Sequence, residues 1–335
     1  MLSPRRFLAI LSARNKEFYR DYGALGWVFA FPILVVVGFG YLFNLDDEGP
    51  FKVSCVKPHC ALVSSPLLET IPQDDEKTGL EKLKFHKVDL FIKADPTIHI
   101  YKNETSQKSI IAEKVLLQAL GSQPSQVKVH SIEGERIAYV EWLFPGLLGM
   151  NILWMSLWGV GWVVVRHRKL MVLKRFSASP LTAFEYLLAQ MVSRLIVLIA
   201  TGILIFLGTK LIYPVRVEGS FLDLMAVYGM GCLCHSAIGM IVAARITSED
   251  LANGILNMVT YPMIFLSEIW FSLEGSPEWV QNLAQSMPLW HMIDGMRRVM
   301  FEGTGMVDLM PSMIFLAIVT FVGLLIGAAT FRWNP

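Results

Sequence analysis

Few residues in this chain have the types and spacing that chemistry needs. Cys55 and Cys60 close the segment Cys-Val-Lys-Pro-His-Cys, which can form a small disulfide loop or, with His59, contribute to a metal site. Nothing nearby completes the four ligands of a structural zinc, so the spacing favours the disulfide. A loop this short stabilises at the modest end of the range, and it forms in an oxidising compartment. Cys232, Cys234 and His235 make a second group. Cys232 and His235, three apart, share a helix face while Cys234 points elsewhere, so packing of small, weakly polar residues is preferred to metal ligation. Arg194 and Glu268 complete the candidates, because each lies within or at the end of a long apolar stretch. Enzyme signatures are missing: there is no G-x-x-x-x-G-K-[ST] phosphate loop, no H-E-x-x-H and no G-x-S-x-G. The expectation is a chain with no catalytic residue, metal or cofactor of its own.

The elements that must position these residues are apolar. Hydrophobic residues make up 54% of the chain and charged residues 17%, against roughly 45–50% and about 25% in ordinary globular chains. Mean hydropathy is +0.49. The net charge of +1 gives no reason to expect a nucleic acid partner. Windows free of Asp, Glu, Lys and Arg run over Leu25–Phe43, Leu143–Val165, Leu224–Ala244, Leu251–Ser267 and Leu309–Phe331, and Leu187–Thr209 is apolar apart from Arg194. About 20 helical residues cross a hydrocarbon core of roughly 30 Å. The fold class predicted is an α-helical polytopic membrane protein with six transmembrane helices. A charge in mid-bilayer costs about 2.5–3.5 kcal/mol on insertion scales, so Arg194 and Glu268 should sit near an interface, be paired, or face water. Arg194 lies some two turns inside its span and can snorkel. Glu268 lies near the other face, which argues against a direct pair.

Short loops set the orientation. Arg5, Arg6, Arg14, Lys16, Arg20, Arg166, Arg168, Lys169, Lys174, Arg175, Arg245 and Arg332 fall on one side, against Lys210, Arg216, Arg297 and Arg298 on the other. The positive-inside rule makes the first side, with both termini, cytoplasmic. Arg5-Arg6-Phe7-Leu8 resembles a twin-arginine leader, but the apolar run starts too late and no small-residue cleavage site follows it. Residues 1–24 read instead as a cytoplasmic interface segment. Pro4–Tyr22 is expected to be an amphipathic helix with Phe7, Leu11, Phe18 and Tyr22 toward lipid and Arg14, Lys16 and Arg20 toward headgroups. The first transmembrane helix covers 25–43.

Residues 44–142 break the apolar pattern with 12 Lys+Arg and 15 Asp+Glu. They read as a small α/β extracytoplasmic domain between the first and second spans. Val88–Ile92 and Thr97–Tyr101 look like strands joined by a Lys-Ala-Asp-Pro turn, Ser109–Leu120 has helical spacing, and Val127–Ile132 alternates as a strand. Pro58, Pro66 and Pro72 predict a looser early part. Residues 143–335 hold the other five spans. Within them, 166–186 forms a connector whose Arg166–Ser179 part reads as a short basic amphipathic helix stopped by Pro180, with Leu170, Leu173 and Phe176 on one side. Such a knob suits a groove on a partner. The stretch Pro277–Met300 is amphipathic and too charged to cross.

An ordered set of short motifs carries a resemblance. Phe144-Pro-Gly-Leu-Leu-Gly-Met150, Leu173-Lys-Arg-Phe-Ser-Ala-Ser-Pro-Leu181 and Glu185-Tyr-Leu-Leu-Ala-Gln190 resemble permease subunits of type-2 ATP-binding-cassette exporters. So do Tyr261-Pro-Met-Ile-Phe-Leu-Ser267, Ser276-Pro-Glu-Trp-Val280, Met287-Pro-Leu-Trp290 and Asp294-Gly-Met-Arg297. The resemblance covers nearly the whole chain. It departs at Arg166-His-Arg-Lys-Leu170, where the family often has an acidic residue and a glycine, and at Glu268, where many relatives have glycine.

The resemblance implies a membrane-spanning subunit that moves an amphipathic, drug-like or lipid-like solute outward across a bacterial inner membrane. It implies two copies of a separate ATP-binding subunit, which carry the ATP and Mg, and a second permease chain in a homodimer or heterodimer. Coupling to the ATPase would fall on Leu170, Leu173, Lys174, Arg175, Phe176, Ser179 and Pro180. Segment 274–308 would be an outer re-entrant or interfacial cap, with Glu268 and Arg194 as candidate residues of the translocation path. The competing class is a non-transport membrane module whose external domain binds an envelope partner.

Overall fold

The structure is a computed structural model that describes residues 4–23, 26, 30, 32–36, 51–56, 67–73, 75–95, 97–104, 106–120, 127–132, 139–212 and 215–333. The chain divides into a helical unit, Met1–Tyr41 with Val140–Phe271 and Asn282–Pro335, and a sheet unit, Leu42–Tyr139 with Ser272–Gln281.

In the helical unit α1 (Pro4–Arg20) is followed, after the sheet unit, by one long rod. Its parts are α4 (Tyr139–Ser156), a π-helical turn (Leu157–Trp162) and α5 (Val163–Lys169). The short helix α6 (Val172–Ser177) leads into the 30-residue α7 (Ala183–Ile212). Then come α8 (Phe221–Ala243), α9 (Glu249–Leu266), α10 (Glu278–Gln285), α11 (Pro288–Glu302) and α12 (Met310–Thr330). Among the described residues, four helices are long and apolar enough to cross a membrane: Val140–Lys169, Ala183–Leu211, Phe221–Ala243 and Met310–Thr330.

Two of the six predicted spans are not among these four. Of the first window, only 26, 30 and 32–36 are described, all helical; the rest lies outside the described residues. The Leu251–Ser267 window does form a helix, but α9 has only 18 residues. It includes Glu249 and Asp250 in its first turn and Asn253, Asn257 and Thr260 farther along. Those acids suit the positive end of the helix dipole, and Ser248 caps it by accepting from Leu251 N. The same polar residues keep α9 from being apolar enough to count.

About half of α8 is buried, and it packs against α12, the π-turn, α11 and α7. Close approach is possible because small residues meet. A Cβ at Gly161, in the π-turn, would lie 3.0 Å from the carbonyl oxygen of Gly239 on α8. The charged stretch read as amphipathic becomes α11. Its Leu289, Met292, Ile293, Met296, Val299 and Met300 are all fully buried, so it packs inside the helical unit. Gly303 ends α11 in the left-handed region, at φ 65°.

Among the described residues the sheet unit has five strands in the order β2-β1-β3-β4-β5. They are β1 (Phe51–Val56), β2 (Leu68–Gln73), β3 (Leu90–Asp95), β4 (Thr97–Asn103) and β5 (Val127–Ile132). Only the β3–β4 pair is antiparallel, with Phe91 opposite Tyr101 and Asp95 opposite Thr97. Two helices cover its faces. α3 (Gln107–Ala119) brings Ala112 and Leu116 onto Val53, Cys55, Leu90, Ile92 and Ile100. On the other face α2 (Glu76–Lys84) brings Leu80 and Leu83 onto Ile71, Val88 and Phe91. Ser106 caps α3 by accepting from Ser109 N. Ser272–Gln281 is held here by Lys52, whose ammonium donates to the carbonyls of Ser272 and Glu274 at 3.2 and 2.6 Å. Lys82 pairs with the Glu274 carboxylate at 2.5 Å.

Overpacking a tight helix contact costs about 1–3 kcal/mol. Gly239→Leu should therefore lower the melting temperature of detergent-solubilised protein. Gly254→Leu, where a Cβ meets nothing within 4 Å, should leave it near wild type. Equal melting of the two variants would place the α8 contact elsewhere.

Candidate functional site

The end of the helical unit that carries the α5–α6 loop is rich in exposed basic residues: Arg166, Lys169, Lys174 and Arg175. The loop turns at Met171, a non-glycine residue at φ 57°. Leu170 and Met171 are 57% and 46% exposed, so two apolar side chains project from a basic turn. Behind them the loop is fixed. Leu173 is fully buried, and Phe176 is half-buried against the same core. Tyr186 stands at the centre of that core, with the rings of Phe176, Phe331 and Trp333 at 5.9, 5.9 and 5.8 Å. The start of α7 is a capping box: Thr182 N donates to the Glu185 carboxylate at 2.9 Å, and Glu185 N to Thr182 Oγ1 at 3.1 Å. Arg6 of α1 pairs with Glu185 at 3.7 Å and donates to the Pro180 carbonyl.

Arg168 anchors the loop's base. Its guanidinium donates to the carbonyls of Arg332 and Ala244, each at 3.1 Å, and to that of Ile246, and it lies over the Phe331 ring. One side chain thus joins α5, the turn between α8 and α9, and the segment after α12. Lys169 adds an ion pair to Glu249 at 3.2 Å.

A second polar centre lies where α1 packs along α7. Arg194 donates to the Gly159 carbonyl in the π-turn at 2.9 Å, and Arg14 donates to the same oxygen at 3.2 Å. A Cβ at Gly159 would lie 2.1 Å from the Arg194 guanidinium carbon, so any larger residue there would displace that guanidinium. Arg14 also pairs with Glu17 at 2.5 Å, and Glu17 contacts His167 at 3.5 Å. The contact with His167 first, and then the Arg14 guanidinium, hold the Glu17 carboxyl down at about 2 from an ordinary 4.5, against the opposing effect of burial. Ser193 donates to Asn15 at 2.5 Å, and Arg194 lies over Phe18 at 5.5 Å. The amphipathic reading of α1 is corrected here. Arg14 is buried with Ile10, and Phe7 packs on the core, so the Phe7–Ile10–Arg14 side faces protein. Arg14 is turned inward because Gly159 and Glu17 supply acceptors that an apolar neighbour would not.

Set beside known proteins, residues 23–329 match the sequence profile described as ABC-2 family transporter protein. The chain belongs to that family. It is similar to the inner membrane transport permease YhhJ of Escherichia coli (strain K12), with 24% identity over 194 residues, and equally to the protein of that name in Shigella flexneri. The matched region covers 57% of this chain and 51% of each relative, so the chain spans about half the length of the curated relatives it matches.

On this ABC-2 chain the sequence-predicted residues fall into separate groups. Leu170, Lys174, Arg175, Ser179 and Pro180 are exposed on the loop. Leu173 does not belong with them, because its side chain is enclosed by the Tyr186 core. Met171, which the helical spacing passed over, is exposed in its place. Glu268 and Arg194 are not brought together.

Glu268 follows α9 at φ 54°, in the left-handed region that favours glycine. Arg297 of α11 holds it there, donating to the Glu268 carbonyl at 2.6 Å and pairing with its carboxylate at 3.6 Å. The same guanidinium donates to the Trp142 carbonyl and lies 3.7 Å from the centre of the Trp142 ring. Arg297, a residue that sequence reasoning used only for counting loop charges, is the hub of this contact. Cys55 is disulfide-bonded within the sheet core, and Cys60 lies outside the described residues. Cys232 and Cys234 are free and buried in α8. His235 turns back to the Gly231 carbonyl at 2.7 Å. Among the described residues, no group of three or more His, Cys, Asp or Glu could hold a metal ion.

Hydrogen bonds to a charged donor are worth about 1.5–3 kcal/mol each. Arg297→Ala should therefore lower stability by about 2–3 kcal/mol, read by thermal unfolding. Glu268→Gly should cost less than about 1 kcal/mol, because relief of left-handed strain offsets the lost pair. A stable R297A protein would show that these carbonyls find other donors. Glu17 gives a pH dependence with a defined sign. Its folded pKa lies below its unfolded value, so its contribution is present above pH 4.5 and is lost as pH falls toward 2. A reporter dye on Lys16→Cys should register release of α1 over that window. In a Glu17→Gln background the acid-dependent step should vanish.

Proposed function

We propose that this chain is the membrane-spanning subunit of an ATP-driven exporter in a bacterial inner membrane. Two such chains pair, each docks a separate ATP-binding subunit that carries the ATP and Mg, and alternating exposure moves an amphipathic, drug-like or lipid-like solute outward. Membership of the ABC-2 family supports the general reading, as do the four long apolar helices. The relatives' printed name, inner membrane transport permease, agrees with it.

One observation carries the docking assignment. Leu170 and Met171 are exposed apolar residues on a basic turn whose Leu173 is buried and whose Phe176 is half-buried in the core behind it. Two unpartnered apolar side chains ringed by Lys169, Lys174 and Arg175 suit an apolar groove with an acidic rim, and Arg168 fixes the turn to two other chain segments so that a push on it is transmitted. The excess of basic residues at this end supports a cytoplasmic side for it and for both termini. The sheet unit is then extracytoplasmic, where a Cys55–Cys60 bridge would persist. The Glu268–Arg297 pair would lie toward the outer end of the path, and the pair, more than a lone carboxylate, is what a departing solute would meet.

The test is co-purification with the ATP-binding subunit. Leu170→Asp combined with Met171→Asp should abolish complex formation and stimulated ATP turnover while leaving abundance and melting unchanged. Leu173→Asp should instead lower abundance, because it puts a charge into the closed core. Normal complex formation by the double variant would move the docking surface elsewhere.

A further inference from the structure

The polar centre between α1, the π-turn and α7 has more positive charge than its surroundings neutralise. Arg14 and Arg194 are both more than nine-tenths buried and converge on one neutral oxygen, Gly159 O. Glu17 is the carboxylate at this centre, and it is already shared between Arg14 and His167. Arg194 has no carboxylate within ion-pair distance among the described residues. Of its five N–H donors, the hydrogen bond to Gly159 uses one, and the Phe18 ring covers one face. Arg14 Nε is buried with no acceptor. Two forked donors with unused hydrogens and a net positive charge are a recognition element for an oxyanion, above all a phosphate.

We propose that Arg194, with Arg14, forms a binding site for a phosphate group, supplied by the headgroup of an anionic lipid of the leaflet on which α1 lies. Depth favours the lipid source. Arg194 is eleven residues into α7, and helical side chains lean toward the helix N-terminus, here the basic end. The outward side of α1 carries exposed Lys16 and Arg20, which mark the level of the headgroups. A phosphate there would neutralise Arg194, join α1 to α7, and make the lipid part of the structure. The leaflet assignment rests on the membrane placement proposed above; the phosphate chemistry does not.

The full chain, purified in detergent with mixed phosphatidylglycerol and phosphatidylcholine, would be analysed by native mass spectrometry. The wild type should retain phosphatidylglycerol selectively. Arg194→Gln and Arg14→Gln should each reduce that retention by about tenfold, as expected for loss of a charge-assisted contact, and Lys16→Gln, on the exposed side of α1, should not. Melting of each variant in phosphatidylcholine alone checks folding. If Arg194→Gln does not fold, Arg194→Lys, which keeps the charge and loses the fork, replaces it and should also lose selectivity. Competition by millimolar inorganic phosphate would keep the site and change its source to free phosphate. Equal retention of the two lipids by wild type, or unchanged retention in both arginine variants, overturns the proposal. None of these readouts uses the ATPase or transport, so failure of the exporter reading would leave them intact and would be seen separately.

Discussion

Where a helix ends or widens inside an apolar unit, carbonyl oxygens lose their regular amide partners and water is not there to replace them. This chain meets that constraint with guanidinium groups. Arg168 serves Ala244 and Ile246, just past the end of α8, together with Arg332. Arg297 serves Glu268, just past the end of α9, and Trp142 in α4. Arg14 and Arg194 serve Gly159 in the π-turn. Arginine suits the task where lysine would not, because a planar fork reaches several acceptors from one stem and is less strongly hydrated than an ammonium. Each charged hydrogen bond, at about 1.5–3 kcal/mol, is of the order of the insertion cost of the charge itself, so the three made by Arg168 and the two made by Arg297 offset it.

That arrangement also decides which parts of the helical unit move together. Arg168 binds α5 to the turn between α8 and α9 and to the stretch after α12, and the Tyr186 cluster binds α6 to the same stretch. The exposed turn at Leu170 and Met171 is therefore the tip of a braced body. Above it in the same rod sits the π-turn, a place where a helix can change its register locally. Gly159 and Gly161 lie in that turn, the first against Arg194 and the second against α8. A displacement of the α6 loop that altered the turn would be felt by α1, α7 and α8 at once.

Much of this was legible in one dimension. Apolar windows found α4–α5, α7, α8 and α12, since an 18-residue run without charges leaves few alternatives. Alternation and helical spacing found β4, β5 and α3, while β3 starts two residues later than expected and runs on through the Lys93–Asp95 stretch expected to turn. The strands β1 and β2 escaped because β2 carries Pro72, which argues against a strand except at an edge, and β2 is an edge. Nothing in Ser272–Gln281 signals that Lys52 and Lys82 hold it in the sheet unit, since those contacts span about two hundred residues. The facing of α6 was misjudged for a related reason. Leu170, Leu173 and Phe176 share a stripe only if one helix continues through them, and the left-handed residue Met171 breaks it, turning Leu170 outward and Leu173 inward.

Glu268 shows how the local and the long-range arguments meet. The resemblance expects glycine at this position, and φ 54° is the physical reason: the chain must turn left-handed as α9 ends. A glutamate there bears strain of order 1–3 kcal/mol, which persists only if the surroundings fix it. Arg297 does so from 29 residues away, through a backbone carbonyl at 2.6 Å and a carboxylate at 3.6 Å. The carbonyl contact exists whatever side chain position 268 carries. The carboxylate contact exists because it is glutamate, and it neutralises a charge near the end of an apolar helix that insertion energetics would otherwise disfavour. The glutamate thus exchanges backbone ease for a pair that ties α9 to α11.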